Sequence, residues 1–430
     1  MNSYHMLDDV LDSVIADYVE SRPRSAHLQS EAEQVIPGGT TRSVIAVEPF
    51  PFRVAKASGS RLEDVDGNYL IDFCGDYTAG LLGHDPRAVK EAVRSSLDGG
   101  WTIGAAHAVE IEAAQLVCRW FPTMASVRFT TSGTEANLHA IGVSLHHTRR
   151  DAVVVFRRGF HGSLLNFSNG MGDGRQHVGV NARYRFRVGE YNDIDSVREI
   201  LSDGCVGCVL VEPMQGAGGC RPAETEFLRQ LRAECDRYDT VLIFDEVMTS
   251  RLYPGGLQQR YGVTPDLTTL GKYIAGGLPF GAFGGRGDLM AHYGNGSDSL
   301  QHSGTFNNNV LTMSAVVAVL RDCLDPDDLT ANNSRGDLMR EEISGILRRS
   351  ELPIDVTGTG SMFCFHSRDD RWIRWLFFEL LRAGYYISPQ GMVTLSLAVT
   401  DEQCRDLVAS VESWVERARS VRSDDQGVQK

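Results

Sequence analysis

The chain has 430 residues, 42% of them hydrophobic, enough to bury more core than one ordinary small domain needs, so two domains or one large domain with an appendage is expected. A formal net charge of -14 with no lysine or arginine block excludes nucleic acid as a main partner, because phosphate backbones require concentrated positive charge. Nine irregularly spaced cysteines in a chain this long point to reduced thiols, and Cys205 with Cys208, lacking a second pair or a histidine couple, reads as buried structure, so no metal site is expected.

Residues 1–9 have neither a basic nor a long apolar segment, and no apolar run reaches about 18 residues, so a cytoplasmic protein without a membrane partner is expected. Residues 7–18 have helical spacing, and Pro37-Gly38-Gly39 then breaks the chain before an extended stretch containing Pro49 and Pro51. Asp64-Val65-Asp66-Gly67-Asn68, between two short apolar runs, predicts a hairpin turn. From about Asp85 to Leu320, helical segments alternate with apolar strands at residues 127–129, 152–156, 208–211 and 241–244. Such strands are buried on both faces, which predicts an α/β domain on a mainly parallel sheet. The short pairs Arg149-Arg150 and Arg157-Arg158 read as solvated charges. Past Asp325-Pro326 come a long amphipathic helix, a few strands and a closing helix. Thr400 and Gln403 form a capping box ahead of Leu407, Val411, Trp414 and Val415. The polar tail at 423–430 is expected to fray. The expected organisation is an amino-terminal arm with a small-domain segment at 1–75, a large domain at 76–325, and a smaller α+β domain at 326–430.

Lys272 stands as a lone cation in the apolar, glycine-rich run Leu270-Gly271-Lys272-Tyr273-Ile274-Ala275-Gly276-Gly277. Excluding water disfavours an ammonium, and a desolvated lysine can attack a carbonyl. The carbonyl most often held this way is the aldehyde of pyridoxal 5'-phosphate, which also needs a carboxylate for its ring nitrogen and a cradle for its phosphate. The plain alternative is a lysine that snorkels from a loop. Asp245 closes the strand-like Val241-Leu242-Ile243-Phe244, where open parallel sheets bind ligands, and could keep a pyridine nitrogen protonated or simply cap the next segment. Glu246 should project to the other face and is assigned no cofactor contact. Ser132-Gly133-Thr134 links a strand to a helix, as an anion cradle or as an ordinary N-cap. Phe160 could stack on a planar ring or pack in the core, and His161 could be a structural group or a proton carrier.

Ser132-Gly133-Thr134-Glu135-Ala136, Phe160-His161-Gly162, Val211-Glu212-Pro213, Phe244-Asp245-Glu246-Val247, Leu270-Gly271-Lys272 and Gly304-Thr305-Phe306 occur in that order. Together they resemble the class III pyridoxal-phosphate aminotransferases, in the branch holding glutamate-1-semialdehyde aminomutase and the β-amino-acid (β-phenylalanine) transaminases. The resemblance implies fold type I and a homodimer with active sites at the subunit interface. It implies that Lys272 binds the cofactor's aldehyde carbon and shuttles a proton, that Asp245 meets the ring nitrogen, and that Val247 packs on the ring face opposite Phe160. Ser132, Gly133 and Thr134 would form the phosphate turn, with Thr305 reaching that phosphate from the neighbouring subunit. The family usually has tyrosine where this chain has Phe160.

Residues 37–43 and 75–84 resemble the β-amino-acid transaminases more than the aminomutase, and in those enzymes an arginine at the position of Arg42 helps bind a substrate carboxylate. The same branch has arginine at the position of Gln390. A neutral amide there removes a carboxylate clamp worth roughly 1.5–3 kcal/mol. The implied substrates are small molecules: an amino-acid donor and a keto or carbonyl acceptor, either a β-amino acid/β-keto acid pair or a specialised biosynthetic intermediate. An aminomutase would use the same groups on one molecule, and a binding protein on the same fold would lack Lys272 or its partners. A nicotinamide enzyme is disfavoured because no G-x-G-x-x-G follows a central strand.

Overall fold

The computed structural model describes residues 3–162, 165, 184–294, 296 and 299–427. The chain divides into two compact units, one formed by Met1–Asp85 with Ala331–Lys430, the other by Pro86–Thr330. The first unit opens with helices α1 (Ser3–Glu20) and α2 (Pro23–Glu33). Leu7, Leu11, Val14 and Tyr18 repeat at three- and four-residue intervals and are buried, which is why α1 packs along one stripe. Strands β1 (Val54–Ser58), β2 (Arg61–Asp64) and β3 (Tyr69–Asp72) pair antiparallel. The predicted turn joins β2 to β3: Asp64 Oδ1 accepts from the amides of Asp66 and Asn68 at 3.0 and 2.8 Å.

The second unit carries α3 (Arg87–Asp98), α4 (Ala108–Trp120), β4 (Ser126–Thr130), α5 (Gly133–Thr148), β5 (Ala152–Phe156), β6 (Arg185–Gly189), α6 (Ile194–Leu201) and β7 (Val206–Val211). These are followed by the two-stranded β8 (Met214–Gln215) and β9 (Arg221–Pro222), then α7 (Thr225–Arg237), β10 (Val241–Asp245), α8 (Gly256–Tyr261), β11 (Leu267–Gly271), β12 (Gly281–Gly285), α9 (Gly287–Met290) and α10 (Val310–Ala318). A seven-stranded sheet runs β4-β12-β11-β10-β7-β5-β6. Only β12 runs against the rest, so the sheet is mainly parallel, as the uninterrupted apolar strands predict. Every residue of β5, β7, β10 and β11 is buried, with apolar side chains packed on both faces. Arg150 departs from the solvated reading: its guanidinium is held by the carbonyls of Val206, Tyr238 and Asp239, tying the ends of two loops together.

The first unit is completed by α11 (Pro326–Ser350), the antiparallel strands β13 (Ile354–Thr359) and β14 (Met362–Ser367), α12 (Asp370–Arg382), β15 (Tyr385–Tyr386), β16 (Met392–Thr394) and α13 (Asp401–Gly427). β15 adds parallel to β3, so segments distant in sequence share one sheet. The capping box forms in both directions, Thr400 N to Gln403 Oε1 at 3.0 Å and Gln403 N to Thr400 Oγ1 at 3.2 Å. Leu407, Val411, Trp414 and Val415 are buried as the spacing requires, and Trp414 meets Trp375 at 5.5 Å. The tail departs from expectation through Gly427, since the last helix continues that far, adding hydrogen-bonded turns beyond its apolar stripe; the final three residues lie outside the described ones. No helix of the described residues is long and apolar enough to cross a membrane.

Candidate active site

Three strand ends converge in the second unit. β10 and β11 are parallel neighbours with Asp245 opposite Thr269, so the chain reaches Lys272 one short step beyond the level of the carboxylate. β4, which pairs with β12, delivers Ser132 and the start of α5. Val247 sits between all three: a Cβ on Gly133 would lie 2.7 Å from its Cγ2, and one on Gly271 would lie 3.2 Å from its Cγ1. Glycine at 133 is therefore a packing requirement, because any side chain would push the turn off Val247.

The turn is an N-cap and remains open to an anion. Ser132 has extended backbone angles, and its Oγ accepts from Glu135 N at 3.2 Å. Glu135 reaches back, accepting from the Thr131 amide and hydroxyl at 2.8 Å each. These bonds fix the first turn of α5, whose leading Gly133 and Thr134 amides point out of the helix start, where partial positive charge accumulates. Thr134 in turn packs against Gly162, whose backbone is left-handed at a φ of +105.

Asp245 is held from several sides. His161 Nδ1 lies 2.7 Å from Oδ2, Asn137 Nδ2 donates to the same oxygen at 2.8 Å, and Val247 N donates to Oδ1 at 3.0 Å. Asn137 is itself fixed, donating to His161 O at 3.1 Å and accepting from Thr269 Oγ1 at 2.6 Å. His161 is buried. Burial opposes its protonation, but the Asp245 hydrogen bond and charge, with Glu212 beyond, outweigh it and raise the imidazole above its ordinary value. Glu212 is pushed up to about 7, chiefly by burial, against the opposing charge of His161. Its carboxyl accepts from Phe160 N at 2.9 Å and Gly216 N at 3.0 Å, which sets the backbone of the Phe160-His161-Gly162 segment. Phe160 is 48% exposed, so it is not part of the packed core.

Lys272 is half-buried and adopts a left-handed φ of 59, a conformation costing a side-chain-bearing residue roughly 1–2 kcal/mol. The neighbouring Tyr273 is fully buried and anchors the turn by donating to Ser250 O at 3.0 Å. Glu246 turns away from Asp245, accepting from the Thr249 hydroxyl and from Gln258 N at 2.8 Å. It organises the next segment. The residues fit a phosphorylated pyridine aldehyde: the backbone of the turn that carries Lys272, a fixed carboxylate and a helix-start turn are gathered around one valine. Asn137 escaped sequence reasoning, although it stands one helical turn after the turn at 132–134, on the face the sheet must cover.

Thr305 and Phe306 occupy an exposed turn of the same unit. Arg42 and Gln390 belong to the first unit and meet there. Arg42 Nη1 bonds Asp76 Oδ1 at 2.7 Å, and its guanidinium lies 5.5 Å from the Tyr77 ring centre. Tyr77 Oη donates to Val44 O at 2.7 Å, and Gln390 Nε2 donates to the same carbonyl at 3.2 Å. Residues 75–78 all have left-handed φ, between 45 and 81, which turns the Asp76 and Tyr77 side chains toward this cluster.

Residues 44–415 match the family model described as Aminotransferase class-III. The chain belongs to the class III aminotransferase family. It is 39% identical over 429 residues to a β-phenylalanine transaminase of Variovorax paradoxus, covering 95% of this chain and 98% of that protein. It is 33% identical to a glutamate-1-semialdehyde 2,1-aminomutase of Archaeoglobus fulgidus, covering 90% and 98%. The crystal structure of a β-phenylalanine aminotransferase from Variovorax paradoxus superposes with a TM-score of 0.91 at 38% identity, covering 95% of this chain and 97% of that one. The aminotransferase therefore has fold type I, the architecture of pyridoxal-phosphate-dependent transaminases, and the similarity to a transaminase exceeds that to the aminomutase.

Proposed function

We propose that this aminotransferase uses pyridoxal 5'-phosphate held by Lys272, Asp245, Val247, Phe160, Ser132, Gly133 and Thr134, and works as a cytoplasmic homodimer in which Thr305 completes the neighbour's phosphate site. The observation carrying the reading is the convergence on Val247 of the phosphate turn, the Asp245 strand end and the Lys272 turn. When bound, the cofactor's conjugated ring would take up the electron pair released as the C–H bond on the substrate's amine-bearing carbon breaks. Asp245, backed by His161 and Asn137, would hold the proton on the ring nitrogen. The Lys272 amine would carry the proton between the substrate's amine-bearing carbon and the cofactor's aldehyde carbon, and the amides of Gly133 and Thr134 would bind the phosphate oxygens. Phe160 would cover one ring face without the hydroxyl that tyrosine offers.

The substrates would be an amino-acid donor and a carbonyl acceptor related to β-amino acids, as the similarity to β-phenylalanine transaminase suggests. Arg42 supplies one carboxylate-binding fork, and a substrate would compete with Asp76 for it. Gln390 offers an amide where the branch has a second cation, which favours an acceptor with no carboxylate at that point, such as a cyclic or aromatic-precursor ketone. A donor and acceptor screen spanning α-amino acids, β-amino acids and amines tests this. Purified protein should also show an absorbance band that borohydride bleaches, with the label on Lys272. A colourless protein that pyridoxal phosphate cannot reconstitute would end the proposal.

A further inference from the structure

The turn that carries Thr305 is tied to the strand that carries the phosphate turn by side chains that the chemistry above does not use. Asn307 N donates to Gly304 O at 3.1 Å, closing a turn with Thr305 and Phe306 at its two central positions. A Cβ on Gly304 would lie 2.7 Å from Asn307 Cγ, so the Asn307 amide packs directly against the start of that turn. The amide lies 2.9 Å from His302 Nε2, and Arg128 Nε donates to His302 Nδ1 at 2.8 Å. Arg128 stands on β4, the strand that runs on into the phosphate turn. It is anchored by a second bond, from Nη1 to Tyr293 O at 3.0 Å, and lies over the Tyr293 ring at 5.3 Å. The His302 ring is wedged against His139 at 4.2 Å and Phe283 at 5.6 Å.

A guanidinium N–H only donates, so Nδ1 has to accept, and the neutral ring then carries its proton on Nε2. That N–H needs an acceptor, which the Asn307 amide oxygen supplies when turned toward the ring. Burial, with His139 and Arg128 close by, pulls His302 down to about 4, so this single tautomer persists through neutral pH. We propose that Arg128, His302 and Asn307 form a positioning relay that holds the Thr305 turn in the shape needed to meet the phosphate of the neighbouring subunit's cofactor. The proposal rests on the role given to Thr305 above.

The test is a titration of the full-length protein, stripped of cofactor, with pyridoxal phosphate, read by absorbance. Thr305→Ala should weaken binding about tenfold, as loss of one charge-assisted hydrogen bond does. His302→Leu should weaken it comparably, and the double variant should be no worse than Thr305→Ala alone. His302→Gln, whose amide can accept from Arg128 and donate to Asn307, should restore most of the affinity. Turnover of His302→Leu should recover at saturating cofactor. If His302→Leu does not fold, Asn307→Ala cuts the same link at the exposed end and carries the same expectations. Unchanged affinity in Thr305→Ala would refute the role of Thr305 itself. A weakened Thr305→Ala beside an unaffected His302→Leu, strictly additive losses, or a glutamine no better than leucine would refute the relay alone.

Discussion

The surroundings of Asp245 and those of Arg42 each organise an ionised side chain, and they do so in opposite ways. Asp245 is buried and meets donors from α5, from the segment after β5 and from its own chain beyond β10. Arg42 is about half exposed and answers to a single acid, which is equally exposed. Removing any one partner of Asp245 leaves others in place, whereas among the described residues Arg42 has one acidic partner, which a substrate carboxylate would displace under the proposed function. A buried network of several partners suits a fixed role, and an exposed pair suits one that an incoming ligand can alter; the proposed function assigns the first to the reaction and the second to substrate choice.

The sharpest way to break the contrast is Asp245→Ala. It removes the carboxylate that raises His161 and accepts from the Asn137 amide, and with it the proposed partner for a ring nitrogen. Turnover should fall at least ~10²–10³-fold, the scale of losing one preorganised electrostatic group, while borohydride labelling of Lys272 persists. Near-normal turnover in a steady-state assay would show that the buried network is only structural. Next in size is Gln390→Arg, which adds a cation beside the Val44 carbonyl. The kcat/KM ratio of acceptors bearing a second carboxylate to those lacking one should rise ~10-fold or more, from a charged hydrogen bond of roughly 1.5–3 kcal/mol. An unchanged profile would remove Gln390 from the specificity argument.

How legible each region was in the sequence follows the same division. The apolar runs of β5, β7 and β10 announce a sheet buried on both faces, and the residues at their ends are readable because a sheet's carboxyl edge is where ligands are taken up. Asp245, Lys272 and the turn at 132–134 belong to such positions. Asn137 was hidden because helix periodicity says only that its face is covered, leaving open that it is covered by a carboxylate 108 residues away. His161 was ambiguous for the same reason. The Arg42–Asp76 pair depends on four left-handed residues in succession, a backbone choice that only tertiary packing enforces. β12, the one reversed strand, was likewise invisible, since direction in a sheet is set by the connection rather than by the strand's own residues.

A smaller effect separates the regions by pH. Glu246 is pushed up to about 7 by burial, against an ordinary 4.5. Between those values the native state keeps a proton that the unfolded chain has released. The stabilisation is therefore complete below about 4.5 and is lost as pH rises through about 7. Glu246→Gln should flatten that fall in denaturant-unfolding curves; a variant that kept the full dependence would assign it to another group, with Glu212 the next candidate.

The smallest effect belongs to the exposed pair. Asp76→Asn removes Arg42's competitor, an interaction worth about 0–1 kcal/mol where both side chains are half in water. Carboxylate-bearing substrates should bind a few-fold more tightly, seen as a lower KM with kcat unchanged. Salt near 1 M should shrink the gain, because screening is strong beyond the Debye length, which falls from about 10 Å at 0.1 M to about 3 Å at 1 M. The same salt should leave the effect of Asp245→Ala nearly untouched, since its partners are buried. Equal salt sensitivity at both positions would mean that Asp245 is reached by water during the reaction. The two regions would then differ in the number of partners they hold, and no longer in kind.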